Sequence, residues 1–302
     1  MREVCIALIV SILGVILIVV LLRAAQGKNL RAVFTDVFFW ISLVACSVAL
    51  SYLTFLSEPV QASSEDAEPV VANAILPLPP SEADAWQSIQ DELSREFAGQ
   101  NYAIYAEDLS NPARTISVNA EQNMKLASVY KLFIAYSILR QVDGGLDWDS
   151  ALGGTTLEQC FDKMMIDSDN ACAHAWGDAH GWRAVMSEAS AIGSTVDLLQ
   201  DNTFATANDV ANLLIKIYRA EIVSPSARDK LFDVLKIQRF RSGIPAGAND
   251  KAVADKVGFM NSVLTDAGIV FGGAGDYVVV ILTENYSWES IAATAETIDA
   301  GF

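Results

Sequence analysis

Two long apolar stretches open the chain and separate its first part from everything that follows. Residues 4–22 are apolar except for Ser11 and Gly14, and residues 33–56 form a second stretch rich in Phe, Trp and Leu. Each stretch is long enough to cross a bilayer as a helix. The pattern therefore predicts two transmembrane helices within residues 1–56.

The loop between these stretches carries the three bases Arg23, Lys28 and Arg31 and no acid. Positively charged loops tend to stay on the cytoplasmic side of a membrane. We therefore expect a hairpin anchor in the cytoplasmic membrane, formed by residues 4–56, with both of its ends facing outward. The remainder of the chain is then extracytoplasmic.

Two other interpretations of this region stay open. Residues 1–25 have the apolar core of a cleaved signal peptide, although Arg23 lies where a cleavage region is normally neutral. The residues up to Cys46 are similar to a lipoprotein cleavage box, but the apolar stretch continues beyond that cysteine. The hairpin anchor accounts for both apolar stretches.

Residues 57–81 differ in composition from both neighbours. They are rich in Ser, Glu and Ala and contain five prolines. A segment of this kind buries too little apolar surface to fold. We expect an extended linker that holds the following domain away from the membrane.

The spacing of apolar positions in residues 82–302 predicts an α+β fold. Amphipathic helices are expected over 82–97 and 287–300. A long helical segment is expected over about 128–240, and it includes a capping-box pattern that begins at Thr206. Strands are expected at 102–108 and 115–119, and from Val253, Gly268 and Tyr277. This order predicts an antiparallel sheet with terminal helices, packed on an all-α lobe.

Charge and cysteine content narrow the possible partners of this domain. The chain has a formal net charge of −17, with most of the excess acids in residues 82–302. Such a surface argues against nucleic acid as a partner.

Two histidines and no Cys/His cluster indicate no metal site, and no cofactor is expected. Whether Cys160 and Cys172 are bonded depends on how the chain turns between them, and spacing alone cannot decide it.

The sharpest chemical signal is a lysine placed three residues after a serine in an apolar helix. Ser128 and Lys131 fall on one helix face. Burial disfavours the charged form of a lysine, so Lys131 is expected to become a base that activates Ser128. The alternative is a lysine whose amine extends from the helix end into water.

Two later motifs favour the catalytic interpretation. Ser168-Asp169-Asn170 follows an apolar run, and Lys256-Val257-Gly258 lies on a predicted strand. Penicillin-recognising serine hydrolases carry S-x-x-K, S-D-N and K-[ST]-G in this order. With matching flanks at 244–247 and 261–270, residues 82–302 resemble the class A β-lactamase-like serine hydrolase family, which includes penicillin-binding and D-alanyl peptidase-like members.

The resemblance implies catalytic roles for three residues and an active site between the two lobes. Ser128 corresponds to the acylated nucleophile, Lys131 to its neighbouring base, and Ser168 to the group that passes a proton to the leaving nitrogen. Asp169 then braces its loop.

The resemblance also implies a substrate-binding set. Asn170 corresponds to the residue that positions the substrate amide, and Lys256 to the cation that faces the substrate carboxylate. Gly258 completes the Lys-x-Gly element. The backbone N–H groups of Ser128 and Phe259 correspond to the oxyanion hole.

Two departures from the family pattern change the expected chemistry. Val257 stands where the family has Thr or Ser, so a hydroxyl that donates to the substrate carboxylate is missing. In addition, no glutamate lies between Glu188 and Glu221, where hydrolytic members carry the base that activates water. Asp197 and Asp201 are the acids nearest that position before the helix that starts at Thr206.

These patterns predict a membrane-anchored extracytoplasmic serine hydrolase. It is expected to form an acyl-serine with β-lactams or related amides and to release it slowly. A D-alanyl carboxypeptidase or transpeptidase acting on peptidoglycan stem peptides is the alternative enzyme. A non-catalytic wall-binding protein on the same fold also stays open.

Overall fold

The computed structural model describes residues 80–199, 203–272 and 275–302. Helices run over Pro80–Glu96 (α1), Lys131–Asp143 (α2), Leu157–Ile166 (α3), Asn170–Trp176 (α4), Trp182–Ala191 (α5), Ala207–Tyr218 (α6), Pro225–Lys236 (α7), Ile244–Gly247 (α8) and Trp288–Asp299 (α9). The main strands are Asn101–Asp108 (β1), Thr115–Val118 (β2), Ala252–Met260 (β8), Val263–Phe271 (β9) and Tyr277–Glu284 (β10). Short strands lie at Met124–Lys125 (β3), Ala151–Leu152 (β4), Thr155–Thr156 (β5), Val196–Asp197 (β6) and Phe204–Ala205 (β7).

The main strands form an antiparallel sheet in the order β2-β1-β10-β9-β8. Alternate side chains of a strand point to opposite faces. On β10, Val278, Val280 and Leu282 pack with the helical lobe, whereas Tyr277, Val279 and Ile281 pack with the terminal helices. The sheet is therefore covered on both faces, which explains why β10 is almost continuously apolar.

The terminal helices α1 and α9 close one face of the sheet. Their apolar stripes, formed by Trp86, Leu93 and Phe97 and by Ile291, Ala295 and Ile298, are buried. At the end of the chain, the ring of Phe302 stacks on Tyr277 with centroids 4.3 Å apart. The predicted covering of the sheet by terminal helices is confirmed.

The helical lobe packs around α2. Residues 131–139 of this helix are all buried, as expected for a helix without a polar face. The predicted capping box is present at α6, where Thr206 Oγ1 accepts from Asp209 N and the Asp209 carboxylate accepts from Thr206 N. The helical segment is not continuous, because β4–β5 and β6–β7 interrupt it.

Several expected boundaries differ from the structure. α1 begins at Pro80, so its first two residues fall inside the predicted linker 57–81. The prediction that a strand starts at Gly268 is wrong, because β9 starts five residues earlier at Val263, which pairs with Glu284. The glycine-rich segment 272–276 connects β9 and β10, which pair antiparallel, and its residues 273–274 lie outside the described chain.

The pairing of the two cysteines in the domain, which the sequence left open, is visible in the structure. Cys160 of α3 and Cys172 of α4 form a disulfide, with their Cα atoms 5.2 Å apart. The turn between the helices brings the two side chains together, and sequence spacing did not reveal this turn.

The predicted transmembrane helices of residues 1–56, and most of the linker, lie outside the described residues. In the part of the chain that the structure covers, every helix is too short or too polar to span a bilayer. The hairpin anchor stays a prediction.

Candidate active site

Ser128 lies in a 3-10 turn, Ala127–Tyr130, that leads directly into α2. The turn is held from two sides: Leu126 N donates to the carbonyl of Thr203 at 2.9 Å, and Thr265 Oγ1 on β9 donates to the Leu126 carbonyl at 2.8 Å. Ala127 has a φ of +43°, a conformation that costs energy for any residue with a side chain. The serine is thus presented from a constrained turn between the two lobes.

The amine of Lys131 is the centre of a hydrogen-bonded cluster. Its Nζ lies 3.0 Å from Ser128 Oγ, 3.2 Å from Ser168 Oγ and 2.7 Å from Asn170 Oδ1, and it donates to the Ser168 carbonyl at 2.6 Å. The side chain is fully buried. The structure thus brings together four of the residues predicted to form the site, and Lys131 does not extend into water.

Burial and, to a smaller extent, the nearby charge of Lys256 lower the pKa of Lys131 to about 7, while Asp169 opposes the shift. A lysine with this pKa is partly neutral at neutral pH. Its lone pair can then accept the proton of a serine hydroxyl at hydrogen-bond distance. The arrangement provides a nucleophile with an adjacent base.

Ser168 is positioned by the turn between α3 and α4. Its φ of +59° lies in the left-handed region, which is uncommon for serine. The following residue, Asp169, caps α4 by accepting a hydrogen bond from Cys172 N at 2.8 Å. The Cys160–Cys172 disulfide closes the same turn covalently. Two local constraints, the helix cap of Asp169 and the disulfide, therefore hold the turn that carries the serine.

Lys256 approaches Ser168 from the sheet. Its Nζ donates to Ser168 Oγ and to the Val257 carbonyl, each at 3.0 Å, and the side chain is fully buried. Burial lowers its pKa to about 8, although the carboxylates of Asp255 and Asp266 act in the opposite direction. Ser168 Oγ therefore lies between two lysine amines.

Gly258 allows the edge strand β8 to touch the nucleophile turn. A Cβ at this position would lie 2.5 Å from the Leu126 carbonyl oxygen and 2.7 Å from Ser128 N, too close for any side chain. The contact brings the strand that carries the Phe259 N–H against the turn that carries the Ser128 N–H. The predicted oxyanion-hole donors thus lie on two elements in direct contact.

Sequence reasoning missed an ionic cluster beside Lys256. Asp255 on β8 and Asp266 on β9 are fully buried. Arg241 donates to Asp255 Oδ1 at 2.6 Å and to the Val253 carbonyl at 3.0 Å, and Gln238 donates to the other Asp255 oxygen. Burial raises the pKa of both carboxyl groups. The sequence feature that could have indicated this cluster is Asp255, an acidic residue inside an otherwise apolar strand.

The segment expected to hold a water-activating acid provides little such chemistry where it is described. Asp197 accepts a hydrogen bond from the N–H of Leu199 at 3.0 Å, which places its carboxylate within its own turn. Asp201 lies outside the described residues. Among the described side chains, no group of three or more His, Cys, Asp or Glu is arranged to hold a metal ion.

A family comparison agrees with this geometry. Residues 84–300 match the model of a family described as the β-lactamase enzyme family. The chain belongs to this family. The resemblance inferred from the three motifs is therefore confirmed, and so is the mixed α/β fold with an antiparallel sheet and helices.

Solved structures of β-lactamase family folds superpose on the domain. A PBP-A mutant, solved as an acyl-enzyme complex with penicillin G, is 22% identical with a TM-score of 0.66, covering 74% of this chain and 98% of that one. A β-lactamase from Chitinophaga pinensis is 17% identical with a TM-score of 0.64, covering 73% and 98%. An ancestral class A β-lactamase is 18% identical with a TM-score of 0.65, covering 71% and 100%. No curated protein matches the sequence.

Proposed function

We propose that this family member is a serine acyl-transfer enzyme that opens β-lactams or related amides by forming an ester with Ser128. The observation that carries the proposal is the position of Lys131 Nζ, 3.0 Å from Ser128 Oγ and 3.2 Å from Ser168 Oγ. One buried amine thus contacts both the nucleophile and the hydroxyl that faces the leaving group.

In the proposed reaction, neutral Lys131 accepts the proton of Ser128 Oγ, and the oxygen bonds to the amide carbon. The N–H groups of Ser128 and Phe259 stabilise the oxyanion, each contributing about 3 kcal/mol to the lowering of the barrier. The C–N bond then breaks as Ser168 passes its proton to the nitrogen and regains one from Lys131. Lys256, 3.0 Å from Ser168 Oγ, stabilises the serine during this exchange.

Asn170 is proposed to position the substrate amide. Its Oδ1 faces Lys131 Nζ at 2.7 Å, which fixes the orientation of the carboxamide. The Nδ2 group is then the side that donates to a substrate carbonyl. Gly258 contributes through its lack of a side chain, which lets β8 lie against the Ser128 turn and brings the Phe259 N–H towards the Ser128 N–H.

Release of the acyl group is proposed to be slow. The support is the lack of glutamate between Glu188 and Glu221 and the local engagement of Asp197. The same observation favours a second candidate, a D-alanyl carboxypeptidase or transpeptidase, in which another amine or a bound water takes the acyl group. The penicillin G acyl-enzyme of PBP-A is consistent with either candidate.

The domain is proposed to lie outside the cytoplasmic membrane, anchored through residues 4–56. The basic loop at 23–31 supports this orientation. The Cys160–Cys172 disulfide also supports it, since disulfides persist in oxidising compartments and are rare in the cytosol. Protease added to intact protoplasts should release a fragment containing the 82–302 domain, and full protection of the chain would contradict the orientation.

The acylation proposal is tested by intact-mass spectrometry of the full chain after exposure to a fluorescent penicillin. A single adduct is expected, with peptide mapping placing it on Ser128. Ser128→Ala should remove it, whereas Ser94→Ala, which changes an exposed serine of α1, should not. An adduct that persists in Ser128→Ala, or no adduct with any penicillin or depsipeptide, would overturn the proposal.

A further inference from the structure

The nucleophile end of β8 carries two apolar side chains on one face. Val257 and Phe259 are two residues apart on the strand, so they point to the same side, opposite to Gly258. Val257 is fully buried. Phe259 is 46% exposed, an unusual state for a phenyl ring one residue from a glycine that touches Ser128 N.

Phe259 has a partner that is held in place. The ring of Phe240 meets it edge to face, with centroids 5.2 Å apart. Gln238 fixes the backbone of Phe240 through two hydrogen bonds, donating to its carbonyl at 2.6 Å and accepting from its N–H at 3.2 Å. Arg239 N donates to the Ile166 carbonyl at 3.0 Å, which attaches this segment to the residues just before Ser168.

These contacts place Phe240 between the segment before Ser168 and the ring of Phe259 on β8. The two rings of Phe240 and Phe259 are together called the aromatic wall below. A single exposed apolar residue needs no explanation. Two rings held against each other beside a nucleophile, with the buried Val257 next to them, form an apolar surface at a defined place. This is the side of the site where the family resemblance expects a substrate carboxylate.

The cations around the aromatic wall are directed at protein groups. Lys256 is fully buried and donates to Ser168 and to the Val257 carbonyl. Arg239 pairs with Asp167 at 2.7 Å, and Arg241 binds Asp255 and the Val253 carbonyl. Neither residue 257 nor residue 259 offers a hydroxyl. A free carboxylate at this position would therefore meet two phenyl rings and no hydroxyl.

We propose that the aromatic wall selects acyl-transfer substrates whose group on the Lys256 side is uncharged and apolar, rather than a free carboxylate. Suitable substrates are β-lactams or amides that carry an ester, an aryl or an alkyl group there. The inference rests on the proposed acylation of Ser128 and names its substrate class. Burial of an added apolar group against the rings favours such a substrate, and a carboxylate would lose solvation without a charged partner.

The test compares the second-order rate of acylation of the full chain by a penicillin and by its benzyl ester. Adduct mass on Ser128 confirms that the ring, and not the ester, has reacted. The ester is expected to acylate about tenfold faster or more, since a missing charged hydrogen bond alone corresponds to a factor of this size.

Substitutions in the aromatic wall should shift this ratio. Phe259→Ser and Val257→Thr are each expected to lower the ester-to-acid ratio, and together to bring it to about unity or below. Phe240→Ala, which leaves β8 unchanged, should lower it as well. The matched control is Ile237→Ser, which changes a side chain that is 65% exposed on the same segment and should leave the ratio unchanged.

The outcomes separate the two proposals. If neither compound acylates Ser128, the proposed function fails. If both react but the free acid is faster in the unmodified chain, or if the ratio does not move in Phe259→Ser and Phe240→Ala, the substrate-class inference is overturned. Thermal melts of each variant identify any that fail to fold. If Phe259→Ser does not fold, the ester-to-acid ratio of Phe240→Ala decides the substrate-class inference.

Discussion

Two segments flank the nucleophile, and they differ in how much chemistry they bring to it. The turn at 167–170 supplies Ser168 and Asn170 to the amine of Lys131 and is closed by a helix cap and a disulfide. The segment at 197–203 contacts the nucleophile turn mainly through Thr203, whose carbonyl accepts from Leu126 N.

The described side chains of the second segment are two leucines, Asp197, which is engaged within its own turn, and Thr203, whose Oγ1 donates to the Ala127 carbonyl at 3.4 Å. Leu198 is buried, Leu199 is 47% exposed, and Asp197 accepts from the N–H of Leu199. In the proposed reaction, the base, the oxyanion site and the proton donor for acylation come from the first segment and its neighbours. Hydrolysis of the ester needs an activated water, for which the second segment offers no described base. This difference between the two segments supports the proposal that the acyl-serine forms readily and is released slowly.

The largest expected effect comes from Lys131→Met, because methionine has a similar length but cannot accept a proton. Loss of the general base should slow adduct formation on Ser128 by about 10²–10⁴-fold. Stopped-flow measurement with a fluorescent penicillin checks the rate. Lys230→Met, which changes a lysine paired with Glu158 on the outer surface of the lobe, is the control. An acylation rate of the same order as the unmodified chain would place the base elsewhere.

The second effect concerns the 197–203 segment. With a chromogenic cephalosporin we expect a stoichiometric burst followed by turnover about 10²–10⁴-fold slower than a general base would allow. Asp197→Asn and Asp201→Asn should leave the slow phase unchanged. Rapid hydrolysis without a burst, abolished by either substitution, would show that this segment carries the missing base.

A smaller effect, about tenfold per pH unit, is expected in the pH dependence of acylation. Lys131 must be neutral to accept a proton, so the rate should rise with pH up to its lowered pKa of about 7. Lys256 must stay charged, so the rate should fall above its pKa of about 8. Because the two amines interact, the apparent pKa values of the two limbs belong to the pair of lysines and not to either one alone.

Pre-steady-state acylation rates from roughly pH 5 to roughly pH 10 would show this bell shape. Lys256→Arg keeps its charge throughout that range and should remove the alkaline limb while the acid limb remains. An acid limb that disappears in this variant would assign the lower pKa to Lys256 instead of Lys131.

The sequence was informative where function imposes a residue type at a fixed spacing. Ser128 with Lys131, Ser168 with Asn170, and Lys256 with Gly258 were each predicted from short motifs, and the structure brings them together. The apolar helix α2 and the capping box of α6 were also predicted from the sequence, because local geometry alone determines them.

What the sequence did not reveal depends on contacts between distant segments. Arg241, Asp255 and Asp266 come from three segments, so no local pattern joins them. The start of β9 was missed because polar residues such as Thr265 and Asp266 interrupt its apolar pattern, although both are buried by tertiary packing. The disulfide was left undecided because its formation depends on the turn between α3 and α4.

That disulfide provides the last and smallest prediction for activity. It encloses the turn that carries Ser168, and the two cysteines are separated by 12 in sequence number. Replacing both Cys160 and Cys172 by serine should lower the free energy of unfolding by about 3 kcal/mol, the value typical of a short closed loop. Urea unfolding of the chain, compared with a Cys5→Ser, Cys46→Ser control, measures this change.

The effect on acylation should be only a few-fold, because two contacts continue to hold the turn. Asp169 still caps α4 through Cys172 N, a backbone group that serine retains, and Lys131 still donates to the Ser168 carbonyl at 2.6 Å. A loss on the scale of Lys131→Met would mean that the covalent link, and not the lysine, positions Ser168. If the acylation rate is unchanged while the free energy of unfolding falls, the disulfide has only a structural role. The difference between the two segments then depends on their hydrogen bonds alone.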